Sequence, residues 1–550
     1  MTHSLTARLA HLPAIDKRLL KAIFGIALLA LGLGILFGAL TALARAGWLD
    51  AYPETAYRLL TLHGVSIFFY WLYFAQAGLL LAFASAQGSG GISWRPAAWA
   101  GFALMTAGFL FSEGASLTGA IPLLYDGSPE LAREEPGNVA AFALGYDLLG
   151  LGLMVVAASA VATVLGPRWK GEQPALTAVG FAVFVWAGFL MVSGIAAIHA
   201  FLPPVLWALG LGAFPVDHGT GWHILFHNLH YLPLMATVLV WYVLVEALTG
   251  VKSVFGARFS KIVFSAYLVF VPPTSLYHMF LEPDLPETVR VAGSLLSLFV
   301  SVPTLTAFLI IVSSLEINAR ARGANGLFGW LKQLPWQHPA MAAMGMAVVN
   351  LGLGIVFAFV LIQEKLAPLL SDTFFVPGYF HFFTVGTVSL TFLAAFAVIL
   401  PGLGGRLWRP DMLKKLPVLA TLGLLIFGAS GIAAGYAGVP RRVFDVSYGG
   451  EAPALWQGLM AGVGIGGSIM ALALAFFAFG MAVTLLRGSG NKEKAIAPLL
   501  DWGGKPIALT AAWMGPASVG AIVAAMYGFT AIAFELLQRL PIAAIGGGDH

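Results

Sequence analysis

Long apolar runs, separated by short polar stretches, recur along the whole chain. Thirteen can be counted, at residues 20–44, 56–86, 96–121, 138–166, 174–213, 221–249, 261–281, 291–315, 339–363, 376–401, 416–437, 455–486 and 507–537. Because about 20 apolar residues in an α-helix cross the hydrocarbon core of a bilayer, each run predicts one transmembrane helix. No repeat or linker interrupts the series, so we expect an all-α polytopic membrane protein with a single membrane domain over residues 1–550.

Basic residues are distributed unevenly over the loops between these runs. Most of the 29 Lys and Arg residues lie in the N-terminal segment or in the loops that follow each even-numbered run. Cytoplasmic loops of membrane proteins are enriched in Lys and Arg. The pattern therefore predicts a multi-pass protein with a cytoplasmic N-terminus, residues 1–18 forming a cytoplasmic tail, and a C-terminus on the outer side.

The composition agrees with this class and restricts the chemistry. A chain that is 59% hydrophobic and 10% charged is unlike a soluble protein of 550 residues. It has no cysteine, which excludes disulfides, thiolate metal sites, iron–sulfur clusters and covalently attached c-type haem. Any cofactor must be bound by His, Tyr, Met or carboxylate side chains. The net charge of +4 does not indicate nucleic-acid binding.

Four histidines fall at one predicted depth in the outer half of the bilayer. His63, His227 and His381 lie one to two turns inside runs that enter from outside, and His278 lies near the outer end of its run. Imidazoles that meet from facing helices at one depth coordinate haem or a metal in helix bundles. The alternatives are separate core histidines hydrogen-bonded to carbonyl groups, or a proton relay.

Two further sets of polar residues belong to the same half of the bilayer. Arg441 and Arg442 follow a proline in the outer loop after run eleven, where they suit a pair of haem propionates or are solvated loop charges. Glu113 and Asp147 fall in outer halves of runs three and four. Each either serves a proton route from outside or is a hydrogen-bonded structural group.

A series of short motifs resembles subunit I of the heme–copper oxidase superfamily, in particular its B-family with thirteen spans. The matches cover nearly the whole chain in order. They are Leu36-Phe-Gly, Asp50-Ala-Tyr-Pro, Thr61-Leu-His-Gly-Val, Phe74-Ala-Gln-Ala, Ser314-Leu-Glu, Gly326-Leu-Phe-Gly-Trp, Leu334-Pro-Trp, Val376-Pro-Gly-Tyr-Phe-His and Val439-Pro-Arg-Arg. The resemblance implies a low-spin haem, expected to be b-type, with His63 and His381 as its two ligands. It also implies that Arg441 and Arg442 bind the propionates.

The chain departs from the family pattern at the dioxygen-reducing centre. The position of the high-spin haem ligand is Tyr379, and the copper-binding His-His pair reads Tyr277-His278. The copper ligand His227 and the redox tyrosine, Tyr231, are kept. Whether a second haem and copper are bound is therefore left open.

Two interpretations of these substitutions follow. Tyr379 binds haem iron as a phenolate, or Tyr379 and Tyr277 fill a vacated pocket as packing residues. The spacing also allows a rearranged metal site of His227, His230 and His278, although His230 is not a ligand position in the family.

The resemblance implies the large subunit of a respiratory oxidoreductase of the prokaryotic cytoplasmic membrane. Electrons would pass through the low-spin haem towards a modified haem–copper centre that reduces dioxygen. The alternatives are a nitric oxide reductase-like enzyme and a non-catalytic electron-transfer or assembly subunit with one haem. The electron donor would be a small partner subunit or a soluble c-type cytochrome or cupredoxin on the outer face.

Overall fold

The computed structural model describes residues 5–88, 90–119, 134–172, 176–214, 219–271, 301–361, 366–441, 443, 447 and 450–487. Twelve long helices make up most of this part of the chain. They are α1 Ala14–Arg45, α2 Pro53–Gln87, α3 Arg95–Thr118, α4 Pro136–Trp169, α5 Ala178–Ala208, α6 Gly219–Thr249, α7 Gly256–Phe270, α8 Ser301–Arg320, α9 Pro339–Leu361, α10 Phe375–Gly402, α11 Leu416–Tyr436 and α12 Ala454–Leu486. The short helices are Leu5–Ala10, Gly329–Gln333, Ala367–Leu370 and Pro410–Leu413.

The predicted all-α polytopic class is confirmed. Helices α1 to α12 correspond in order to the first twelve apolar runs. Ten helices among the described residues are long and apolar enough to cross a membrane. The thirteenth run, 507–537, lies outside the described residues.

The two helices that carry His63 and His381 occupy the centre of the bundle. Within an apolar stretch of 18 residues in α2, 94% is buried inside the protein, and for the corresponding stretch of α10 the share is 89%. The corresponding share is 39% in α1 and 44% in both α3 and α12, which place a large part of their apolar surface on the outside. A side chain of α2 or α10 is therefore surrounded by protein, and the pair forms a suitable frame for a buried site.

Glycines allow the peripheral helices to approach one another closely. A Cβ at Gly101 of α3 would lie 2.9 Å from the carbonyl oxygen of Gly152 in α4, and a Cβ at Gly152 would lie 2.6 Å from that of Gly101. Such contacts between backbones are typical of membrane helices, because association there depends on close van der Waals packing. At the end of α2, Arg8 of the first short helix donates a hydrogen bond to the carbonyl oxygen of Ala86.

Candidate functional site

His63 of α2 and His381 of α10 face each other inside the bundle. Their ring centroids are 6.3 Å apart, and the ring planes differ by 10°. The depth pattern alone did not say which of the four histidines meet, whereas the family resemblance predicted this pair. The structure brings these two together.

A backbone carbonyl group orients each ring. His63 Nδ1 is 2.7 Å from the carbonyl oxygen of Gly34 in α1, and His381 Nδ1 is 2.7 Å from that of Pro377 in its own helix. Because a carbonyl oxygen only accepts, each Nδ1 must carry the proton, which leaves Nε2 as the nitrogen with a free lone pair. A hydrogen bond of this kind is typical of histidines that bind metals.

The separation of the rings fits two ligands of one metal ion. A histidine nitrogen binds a metal at about 2 Å and lies about 1 Å from its ring centre, so two ligands on opposite sides have centres about 6 Å apart. The observed 6.3 Å agrees with that value. The donor set is two neutral imidazoles with fixed tautomers, which suits the iron of a low-spin haem.

Small and aromatic residues shape the space around the two rings. Gly38 of α1 lies against His63, where a Cβ would be 2.7 Å from Nδ1 and Cε1 of the ring. The ring of Phe427 from α11 lies 4.6 Å from that of His381. Phe68 and Phe380 lie 5.6 Å apart on the two histidine-bearing helices. Apolar walls of this kind exclude water from a cofactor site.

A π-helical segment follows each histidine. One spans Val65–Trp71 and the other Phe382–Ser389. Trp71 Nε1 donates a 3.0 Å hydrogen bond to Ser389 Oγ, which joins the ends of the two segments. Wider turns of this type occur frequently at functional sites. A π-helical turn contains more residues than an α-helical turn, so it rotates the part of the helix before it relative to the part after it. These segments therefore set the direction in which His63 and His381 point.

Residues before the start of α10, after the end of α11 and at the end of α1 form a cap at the end of α10 that carries His381. Arg441 forms an ion pair of 3.0 Å with Asp372, and its backbone N–H donates to the carbonyl oxygen of Asp372, also at 3.0 Å. Arg45, at the end of α1, donates hydrogen bonds to the carbonyl oxygens of Pro440 and Arg441. The cap fixes Arg441 near the start of α10. Arg442 lies outside the described residues.

Tyr379 lies among aromatic side chains of its own helix. Its ring centroid is 5.7 Å from that of Phe375 and 6.3 Å from that of Phe383. Residues two apart on a helix do not share a face, so Tyr379 and His381 cannot bind the same metal. A role as a haem ligand stays a prediction.

The residues of the predicted copper site lie outside the part of the chain whose side chains the structure describes. Helix α6 passes through His227, His230 and Tyr231, but their side chains lie outside the described part of the structure. Tyr277 and His278 belong to residues 272–300, which are likewise outside it. In the described residues no group of three or more His, Asp or Glu side chains is arranged to hold a metal ion.

Several features of the site were not apparent in the sequence. They are the Gly34 carbonyl partner of His63, the clearance at Gly38, the π-helical segments and the contact of Arg45 with the cap. The hydroxyl residues of the second π-helical segment are one local signal of that segment in the sequence. In the structure, Ser389 Oγ donates a hydrogen bond to the carbonyl oxygen of Thr384, five residues earlier.

Known proteins resemble this chain over most of its length. The family model described as cytochrome c and quinol oxidase polypeptide I matches residues 18–469. Cytochrome c oxidase subunit 1 of Thermus thermophilus is 29% identical over 493 residues, which cover 86% of this chain and 85% of that protein. A probable cytochrome c oxidase subunit 1-beta of Nocardia farcinica is 27% identical over 356 residues, which cover 63% of this chain and 56% of that protein.

A solved structure has the same fold. The cryo-EM structure of a heme-copper terminal oxidase dimer matches with a TM-score of 0.77, 20% sequence identity, and coverage of 98% of this chain and 94% of that one. The family match extends over most of the sequence, including both histidines and the cap. The chain therefore belongs to the cytochrome c and quinol oxidase polypeptide I family, that of subunit I of the heme–copper oxidases.

Proposed function

We propose that this chain is the large, electron-transferring subunit of a respiratory oxidase complex and binds a low-spin haem between His63 and His381. The observation that carries the proposal is the 6.3 Å separation of two nearly parallel imidazole rings, carried by the two most buried of the ten candidate membrane spans that the structure describes. Bound between these two histidines, a low-spin haem would supply one-electron transfer rather than a substrate-binding site.

The protein residues perform three tasks in this function. The carbonyl oxygens of Gly34 and Pro377 hold the imidazole tautomers, so that Nε2 of each ring is available as a ligand. The aromatic wall that includes Phe427 excludes water. The guanidinium group of Arg441, which the ion pair with Asp372 holds at the cap, would also contact and stabilise carboxylates of a bound cofactor there.

The direction of electron flow follows from the predicted orientation. The cap lies on the outer side, so the donor is a small partner subunit or a soluble c-type cytochrome or cupredoxin on that face. By family resemblance, Tyr231, His227 and Tyr379 would belong to a modified haem–copper centre, which would supply the reduction of dioxygen by the transferred electrons.

The test of the low-spin haem is spectroscopic. Purified protein should show a pyridine haemochrome and a reduced-minus-oxidised spectrum of a six-coordinate haem. His63→Ala and His381→Ala should each abolish that spectrum, because five-coordinate haem is high-spin. His199→Ala, which removes an exposed histidine of α5, is the matched control and should keep it. The proposal is wrong if both ligand variants retain the wild-type spectrum.

One observation favours a second candidate, a subunit with one haem and no catalytic centre. Tyr379 stands in the position of the second haem ligand, and its ring packs against Phe375 and Phe383. Haem and copper analysis of the same preparation separates the two functions. Two haems and copper per chain support catalysis, whereas one haem without copper supports the second candidate.

A further inference from the structure

A buried carboxylic acid lies beside the part of α2 that carries His63. Glu113 of α3 is 7% exposed, and its Oε1 accepts a hydrogen bond of 2.5 Å from Ser66 Oγ. Ser66 is fully buried and lies in the π-helical segment, three residues after His63. A single hydroxyl group therefore connects the acid to the helix segment next to a proposed haem ligand.

The charge of Glu113 has no cationic partner in the described part of the chain. None of the ion pairs found there includes this residue. Burial without a cation disfavours a carboxylate, whereas a hydroxyl donor stabilises it. The two influences oppose each other, which makes the protonation state of Glu113 sensitive to a change of one charge nearby.

Other titratable groups near this level belong to the helices packed against α3. They are His63 and Tyr70 on α2 and Tyr146 and Asp147 on α4, while the charged residues of α1 lie towards its two ends. Tyr70 OH donates a 2.8 Å hydrogen bond to Ser112 Oγ, next to Glu113 in the chain. The phenol and hydroxyl groups are neutral at physiological pH. The two carboxyl groups are therefore the acids that can respond, and Glu113 is the one bonded to α2.

Glu113 is also close to one end of its helix. It precedes the last residue of α3, Thr118, by five positions, or about 7.5 Å along the helix axis. The hydroxyl group of Ser116 lies between them, and Thr118 Oγ1 is 3.3 Å from Asn138 Oδ1 of α4. The predicted orientation places this end outside, so the path for a proton from the outer aqueous phase is short.

We propose that Glu113 is a proton-binding site coupled to the electron occupancy of the haem site, an inference that rests on the function proposed above. When an electron from the outer-face donor enters the site, the Glu113 carboxylate takes up one proton from the outer aqueous phase and an O–H bond forms. When the electron leaves, that bond breaks and the proton returns to water. The buried region keeps its net charge in both states.

A redox titration of the intact complex tests this coupling. The midpoint potential of the low-spin haem, followed at its α-band, should fall as pH rises from 6 to 9 in the wild type. The slope should approach about 59 mV per pH unit, the value for one proton per electron. Glu113→Gln keeps an oxygen that accepts from Ser66 but cannot titrate, so its slope should be markedly smaller.

Asp147→Asn is the matched control, because it removes a carboxylate of α4 that has no hydrogen bond to α2 in the described structure. Its slope should equal that of the wild type. A redox-induced infrared difference spectrum, with 13C-labelled glutamate, provides a measurement on the wild type in case the Gln variant does not fold. It should show a protonated carboxyl band that appears on reduction.

Each outcome bears on a separate claim. A haem whose potential is independent of pH, or a Glu113→Gln variant with the wild-type slope, overturns this proposal and leaves the proposed function in place. Equal loss of slope in Asp147→Asn also overturns it, since the response would then not belong to Glu113. The absence of any low-spin haem spectrum in the wild type overturns both proposals.

Discussion

Replacing Gly38 by alanine should disturb the haem site without unfolding the protein. A Cβ at this position of α1 would lie 2.7 Å from Nδ1 and Cε1 of His63. The favourable distance between such atoms is about 3.5 Å, so the ring or the helix must move by about 0.8 Å. The hydrogen bond from His63 Nδ1 to the Gly34 carbonyl oxygen opposes movement of the ring alone.

The expected magnitudes separate stability from cofactor binding. Alanine favours the helix by about 1 kcal/mol relative to glycine, and overpacking costs about 1–3 kcal/mol, so the net change in unfolding free energy is about 0–2 kcal/mol. A ligand must stay within about 0.5 Å of its productive position. Disturbing the groups that orient a metal-bound histidine typically lowers metal affinity about 10–100-fold. Haem binding should therefore suffer more than the fold.

The assay compares Gly38→Ala with Gly32→Ala, a control on the same helix where a Cβ would meet nothing within 4 Å. Both proteins are purified under identical conditions, and the haem-to-protein ratio, the α-band and thermal unfolding are measured. Gly38→Ala should lose low-spin haem, whereas Gly32→Ala should match the wild type. Full occupancy and an unshifted α-band in Gly38→Ala would refute the reasoning.

Three further changes test other parts of the fold. Trp71→Phe removes the hydrogen bond to Ser389 Oγ, which keeps its own bond to the Thr384 carbonyl oxygen. The loss of one buried hydrogen bond should lower the unfolding free energy by about 0.5–1.5 kcal/mol, measured by thermal unfolding, and an unchanged Tm would contradict this. At Gly145 a Cβ would lie 2.7 Å from a carbonyl oxygen of α3, so Gly145→Ala should destabilise the protein by about 1–3 kcal/mol. Gly166→Ala, at a position of α4 where a Cβ would meet nothing within 4 Å, should not lower the unfolding free energy in this way. An equal loss of stability in the two variants would exclude close packing as the cause. Burial lowers the pKa of His338 to about 4, below its ordinary value of 6.5, so the folded state favours the neutral ring. The stability that the neutral ring contributes is present above pH 6.5 and is lost as the pH falls from 6.5 towards 4. His338→Asn keeps an acceptor for the backbone N–H two residues later and should unfold with less acid dependence; equal acid dependence would refute the assignment.

The sequence predicted the helices, which the structure confirms for the first twelve runs, and it predicted a depth for their polar residues. Apolar runs of sufficient length define spans because a bilayer has a fixed thickness, and the distribution of Lys and Arg predicts which end of each run faces outside. Together these two patterns predict that four histidines lie in one layer. The motifs around His63, His381 and Arg441 indicated the family to which the chain belongs.

Hydropathy and depth did not decide which of these residues meet. The family resemblance predicted the pair of His63 and His381, and the tertiary structure shows it. Lipid chains are as apolar as the core of a bundle, so hydropathy does not tell the inward face of a membrane helix from the outward one. The 6.3 Å pairing of His63 with His381 and the contact at Gly38 depend on helix rotation and packing. The bond from Ser66 to Glu113 joins residues 47 positions apart. Such partners lie on different helices, and no local pattern in the chain specifies which helices become neighbours.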